Sequence, residues 1–136
     1  MKKYTLIAHT ADIRLQIQAN SQQEIFLAAL QGMTQIINSQ VNLHQNPSLS
    51  QKITIKSLDA TALLIDFLSE VLTLCHLHKA VFFDVTFNLL TPNNLDATVY
   101  GVPVSEFLED IEAVTYHEAE IIQNNGILST TIVFDI

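Results

Sequence analysis

From Asp12 to Ala19 the chain alternates residue by residue, with Ile13, Leu15, Ile17 and Ala19 on one side and Asp12, Arg14, Gln16 and Gln18 on the other. A period of two predicts a strand with one buried face. Tyr4 to Ala8 predicts a shorter strand before it. The period then changes. Ser21-Gln22-Gln23-Glu24 has the pattern of a capping box, whose hydroxyl and carboxylate satisfy free backbone N–H groups at a helix start. Behind it Phe26, Ala29, Leu30, Met33 and Ile37 recur at helical spacing, with Ile25 and Ile36 widening the stripe. This helix is expected to end near Asn38 or Gln40.

Residues 41–50, with Asn46-Pro47, read as a polar loop, and 51–57 as a short strand with Ile53 and Ile55 inward. Asp59 is placed to cap a second helix. That helix carries Leu64, Phe67, Leu68, Val71, Leu74 and Cys75 on one face and Asp66, Ser69, Glu70 and Thr73 on the other, with His76 and His78 near its end. Val81, Phe83, Val85, Phe87 and Leu89 alternate as another strand. Thr91-Pro92-Asn93-Asn94 signals a turn into a paired strand with Leu95, Ala97 and Val99, which Gly101-Val102-Pro103 is expected to interrupt. The β-branched content of 111–123 favours strand. Asn124-Asn125-Gly126 is a strong hairpin turn, and 127–136 closes the chain as a strand. No internal repeat, low-complexity stretch or linker appears. Two amphipathic helices among half-buried strands, without regular βαβ alternation, predict an α+β fold: two layers, with a mixed, mostly antiparallel sheet and both helices packed on one face. One domain over residues 1–136 is expected.

Composition narrows the function. With 136 residues, 49% of them hydrophobic, the chain can build a real core. Six basic residues against fourteen acidic give a formal charge of −8. Nucleic-acid affinity rests on neutralising phosphates, so direct sequence-specific nucleic-acid binding is not expected. A protein or a cation is the expected contact. The three glycines, Gly32, Gly101 and Gly126, lie far apart, so there is no glycine-rich phosphate loop. The single cysteine, Cys75, excludes an intrachain disulfide and falls in an apolar helical pattern. Ser and Cys residues show no nucleophile–base arrangement. No segment reads as having the unbroken apolar length of a membrane span. The basic start at Lys2-Lys3 is followed by too short an apolar run for a signal peptide, so a cytoplasmic location without membrane contact is expected.

Asp12 opens one strand on its polar side and Asp135 nearly ends the last, also on its polar side. If these strands are antiparallel neighbours, the two carboxylates converge. Facing like charges destabilise a sheet, and a hard cation between them reverses that sign, because Ca²⁺ and Mg²⁺ take oxygen ligands. The α-carboxylate of Ile136 is a third anionic donor. Aspartates at strand ends are ordinarily solvated surface charges, so the strand argument leaves both readings open.

Three blocks resemble the signatures of the archease family. His9-Thr10-Ala11-Asp12-Ile13 is similar to its opening motif, Ala113-Val114-Thr115-Tyr116-His117 to its second, and Val133-Phe134-Asp135-Ile136 to its third. Leu64 to Glu70 also resembles the family's leucine-rich block ending in an acidic residue. The blocks occur in order over essentially the whole chain. The resemblance implies a protein cofactor, not itself an enzyme. It would activate a tRNA-splicing 3′-phosphate RNA ligase by promoting GTP-dependent guanylylation and multiple turnover, in tRNA splicing and RNA repair. It also implies metal ligands at Asp12, Asp135 and the carboxylate of Ile136, for a divalent ion, with calcium expected and magnesium or manganese as alternatives. Two positions depart from the pattern: Arg14 stands where the family usually has glycine, and Glu112 where a lysine is usual.

The histidines divide between bland and functional readings. His9 fits a group near the metal or toward the partner, and equally a structural histidine at a strand start. His117 fits the partner surface or a core or rim position. His76 and His78 lack an adjacent cysteine or third histidine, so zinc carries little weight. The alternatives to ligase activation are a chaperone-like protein-binding module without stimulation, and a hydrolase using a metal-bound water.

Overall fold

The computed structural model describes residues 2–8 and 12–136; His9 and the rest of the opening block before Asp12 lie outside the described residues. The chain order is β1 (Lys2–Ala8), β2 (Asp12–Ala19), α1 (Gln22–Ile37), β3 (Leu49–Lys56), α2 (Ala60–His78), β4 (Ala80–Leu90), β5 (Asn94–Pro103), β6 (Ala113–Thr115), β7 (Ile122–Asn124) and β8 (Ile127–Asp135). The α+β expectation holds. The strands divide between two sheets: β1-β2-β8-β6 with β7 also on β8, and β3-β5-β4. Every pairing among the described residues is antiparallel.

Both helices start where their caps predict. The Ser21 hydroxyl accepts from the Glu24 N–H at 3.2 Å, and the Asp59 carboxylate accepts from the Ala62 N–H at 2.8 Å. Helix α1 buries Ile25, Phe26, Ala28, Ala29, Leu30, Met33, Ile36 and Ile37, a band wider than one sheet face requires. The cause is that α1 packs on β1, β2 and β8 of the first sheet and on β4 of the second. Helix α2 covers β3, β4 and β5 and reaches β6. By length and composition it is the one described helix that could cross a membrane, although Asp66, Ser69, Glu70 and Thr73 interrupt its apolar run. Its apolar residues, Leu63 to Cys75, are spent on the core instead.

Three further expectations change. The strict alternation from Val81 to Leu89 is broken by irregularities between Phe82 and Asp84 and between Phe87 and Leu89. Phe82 and Phe83 are both buried as a result, while Leu89 is 49% exposed. The carbonyls released at the first irregularity are taken up by α1: Thr34 donates its hydroxyl to the Phe82 carbonyl, and Gln31 donates to that of Phe83 at 3.1 Å. Gly101-Val102-Pro103 does not interrupt β5, which runs through to Pro103 opposite Ala80. Proline is tolerated there because it ends the strand. Gly101 lies against the β4 backbone so closely that a Cβ would sit 1.8 Å from the Val81 carbonyl oxygen. Finally, 111–123 forms only the two short strands β6 and β7, joined by a turn in which the Ala119 N–H donates to the Tyr116 carbonyl at 3.1 Å. The predicted 124–126 hairpin is present, with Asn125 and Gly126 at φ 53° and 77°, the left-handed values of a type I′ turn.

Cys75 is a core thiol, and burial pushes its pKa up to about 12. In the unfolded chain it ionises near the ordinary value of about 8.5, so the unfolded state sheds its proton first. This contribution to stability is therefore present below that value and declines as pH rises toward 12. Native protein at pH 8.5 is expected to react with a thiol reagent far more slowly than the urea-unfolded chain, and Cys75→Ala is expected to flatten the alkaline fall in stability. For Gly101→Ala, the backbone clash predicts a loss of about 1–3 kcal/mol, read as a lower urea midpoint at unchanged slope.

A candidate metal centre at the β2–β8 end

The pairing of β2 with β8 is in strict register from Asp12↔Asp135 to Ala19↔Leu128. Ile13, Leu15 and Ile17 stand opposite Phe134, Ile132 and Thr130 on the core side. Burial of Leu15, Ile17, Ile132 and Phe134 under α1 therefore fixes the phase of the opposite face. On that face Asp12 and Asp135 are direct partners, with Arg14 beside Val133 and Gln16 beside Thr131. The two sequence-predicted carboxylates are thus brought together at one end of the sheet, and Ile136 follows at once, half-buried with its side chain packed against the core.

The other side of Asp135 is β6. Ala113 is its register partner, and the Glu112 N–H donates to the Asp135 carbonyl at 2.8 Å. The Glu112 side chain is exposed. Asp12 Oδ1 is shut off from solvent and accepts no hydrogen bond among the described residues. A buried carboxylate oxygen without a donor is costly, and facing like charges add to the cost. A cation relieves both, so the donor set fits a hard divalent ion. No cluster of three or more His, Cys, Asp and Glu side chains spaced for a metal occurs among the described residues. The cleft of about 330 Å³ lined by Gln16, Gln18, Glu118, Glu120, Ser129 and Thr131 lies further along the same face and includes neither aspartate.

His117 is exposed on the turn after β6, at the rim and not in the core. His9 lies outside the described residues. His76 contacts Asp110 at 3.3 Å and the Phe107 ring, which ties the end of α2 to the 104–110 segment.

The sequence reading passed over the groups that hold the 116–121 segment. Tyr116 donates its hydroxyl to one oxygen of Asp66, and Ser57 donates to the other at 2.6 Å. The Asp66 carboxylate accordingly holds the Tyr116 phenol above its ordinary pKa, with burial a lesser cause. The Ile121 N–H donates to the Thr61 hydroxyl at 3.0 Å and the Glu120 N–H to that of Thr130 at 3.3 Å. Arg14 pairs with Glu118. The sequence signals for these contacts were Asp66 on the polar face of the second helix and the tyrosine of 113–117; neither names its partner.

The comparisons with known proteins agree on the fold and the family. The model of the Archease protein family matches residues 4–136. Protein archease of Methanosarcina barkeri is 28% identical over 143 aligned positions, covering 99% of this chain and 97% of its own. Protein archease of Thermococcus kodakarensis is 30% identical, covering 89% of each. Among solved structures, protein 1598 of Methanobacterium thermoautotrophicum superposes with a TM-score of 0.76 at 22% identity over 98% of both chains. An archease of Thermotoga maritima, described as a possible chaperone, gives 0.69 at 21% identity over 96% of this chain and 94% of its own. With a family match over nearly its whole length, the chain belongs to the archease family.

Proposed function

We propose that this protein is a metal-binding cofactor of a tRNA-splicing 3′-phosphate RNA ligase, promoting its GTP-dependent guanylylation and repeated turnover in the cytoplasm. The observation that carries the metal reading is the Asp12↔Asp135 register with a buried Asp12 oxygen that has no hydrogen-bond partner among the described residues. Asp12, Asp135 and the α-carboxylate of Ile136 would hold the ion, with calcium favoured over magnesium or manganese. Bound there, it supplies positive charge to an otherwise acidic edge. The chain's own residues do the positioning. The β2–β8 ladder sets the aspartates opposite each other, the packed Ile136 side chain anchors the end of the backbone, and β6 brackets Asp135 from the far side. With no glycine-rich loop and a charge of −8, the chain is suited to act on a protein partner and not as a nucleotide- or RNA-handling enzyme.

A second reading is favoured by one observation. Glu112, whose backbone N–H donates to the Asp135 carbonyl, puts an exposed acidic side chain where the family resemblance calls for lysine. A chaperone-like module that binds its partner without stimulating it accommodates that reversal.

In chelator, Asp135→Asn is expected to raise the urea midpoint slightly, because it removes one of two facing like charges. In saturating Ca²⁺ the unaltered protein gains stability that Asp12→Asn and Asp135→Asn do not. Calorimetry should show each variant losing affinity by about tenfold or more. Equal Ca²⁺ affinity in all three proteins would remove the site. Activation is tested by guanylylation of the cognate ligase with and without this protein. No change in rate or turnover, together with retained ligase binding before and after Glu112→Lys, would leave the module reading in its place.

A further inference from the structure

Two buried side-chain atoms without hydrogen-bond partners occur among the described residues, Asp12 Oδ1 and Arg14 Nε. They carry opposite charge. Their residues are two apart on β2 and share its outer face, because side chains at i and i+2 point the same way. A guanidinium is a ready counter-ion for a carboxylate at that separation, yet among the described residues the ion-pair partner of Arg14 is Glu118.

Glu118 is held there by an unusual backbone. It sits at φ 62° in the Tyr116–Ala119 turn, in the left-handed region that glycine or asparagine ordinarily fills at the third position of such a turn. A glutamate pays for that conformation. The turn cannot easily relax, because its flanks are tied down by Tyr116 to Asp66, Ile121 to Thr61 and Glu120 to Thr130. A strained residue retained within an anchored turn, aimed at a single charged partner, calls for a role.

We infer that Glu118 is a positioning residue that draws the Arg14 guanidinium off Asp12, so that Arg14 is an internal competitor for the carboxylate and the Arg14–Glu118 pair sets the cation affinity of the β2–β8 end. This rests on the metal reading above. Freed from Glu118, the guanidinium turns along β2 to Asp12, supplies the missing donors to Oδ1 and excludes the ion. A through-space effect of the Glu118 charge makes a different prediction, since it would persist without Arg14.

The experiment is a double-mutant cycle read by Ca²⁺ calorimetry on the full chain, with Glu118→Gln, Arg14→Gln and the pair. Glu118→Gly serves as a second variant that removes the side chain and suits the positive φ. Glu118→Gln and Glu118→Gly are expected to weaken Ca²⁺ binding about two- to fivefold, the range of a partly exposed ion pair. Arg14→Gln should tighten it, and adding Glu118→Gln to Arg14→Gln should change nothing further. In metal-free protein, NMR should show the Arg14 guanidinium close to the Asp12 β-protons in the Glu118 variants and not in the unaltered chain. A Glu118 effect of equal size with and without Arg14, or an Arg14 that does not move, overturns the inference while leaving the metal site standing. No Ca²⁺ binding by the unaltered chain overturns both.

Discussion

The antiparallel ladder between β2 and β8 is the constraint on which the rest depends. It joins the second strand to the last, across more than a hundred residues of intervening chain, and its register serves two faces at once. On one face Leu15, Ile17, Ile132 and Phe134 complete the core beneath α1; on the other Asp12 meets Asp135. A slip of one residue would expose the apolar set and separate the carboxylates in the same step. Core packing thus holds in place a charge arrangement that by itself opposes folding.

Around that ladder the molecule solves a problem of sharing. One helix covers parts of two sheets, so α1 is apolar over most of its circumference and its polar residues are put to use at the seam. Thr34 and Gln31 satisfy the carbonyls that β4 turns away from β5 at its irregularity, which also covers part of an otherwise open strand edge. The close approach that lets β4 bend is made possible by the missing side chain at Gly101. The hydropathy of α2 has the same origin, since it too lies over one sheet and reaches the other.

The segment between β6 and β7 links the two halves of the chain chemically. Asp66 on α2 collects hydroxyls from Ser57 and Tyr116, and the turn beyond Tyr116 carries Glu118 back to Arg14 on β2. The face that bears the paired aspartates is therefore flanked by a fixed turn from one side and by β6 from the other. Its electrostatics are set by contacts between elements far apart in sequence.

The period of two at 12–19, the helical stripes behind Ser21 and Asp59, and the Asn-Gly hairpin were legible because each is a local preference of backbone and side chain. So were the membership of Asp12 and Asp135 in the polar faces of their strands and the resemblance of the blocks that contain them. The division into two sheets, the burial of both Phe82 and Phe83, the continuity of β5 through Gly101 and the breaking of 111–123 into two short strands were not legible, because each depends on which distant strand or helix lies alongside. The same holds for the partners of Arg14 and Asp66. A charge pattern along one chain says what a residue can bind, and only the packed fold says which residue is near enough to be bound.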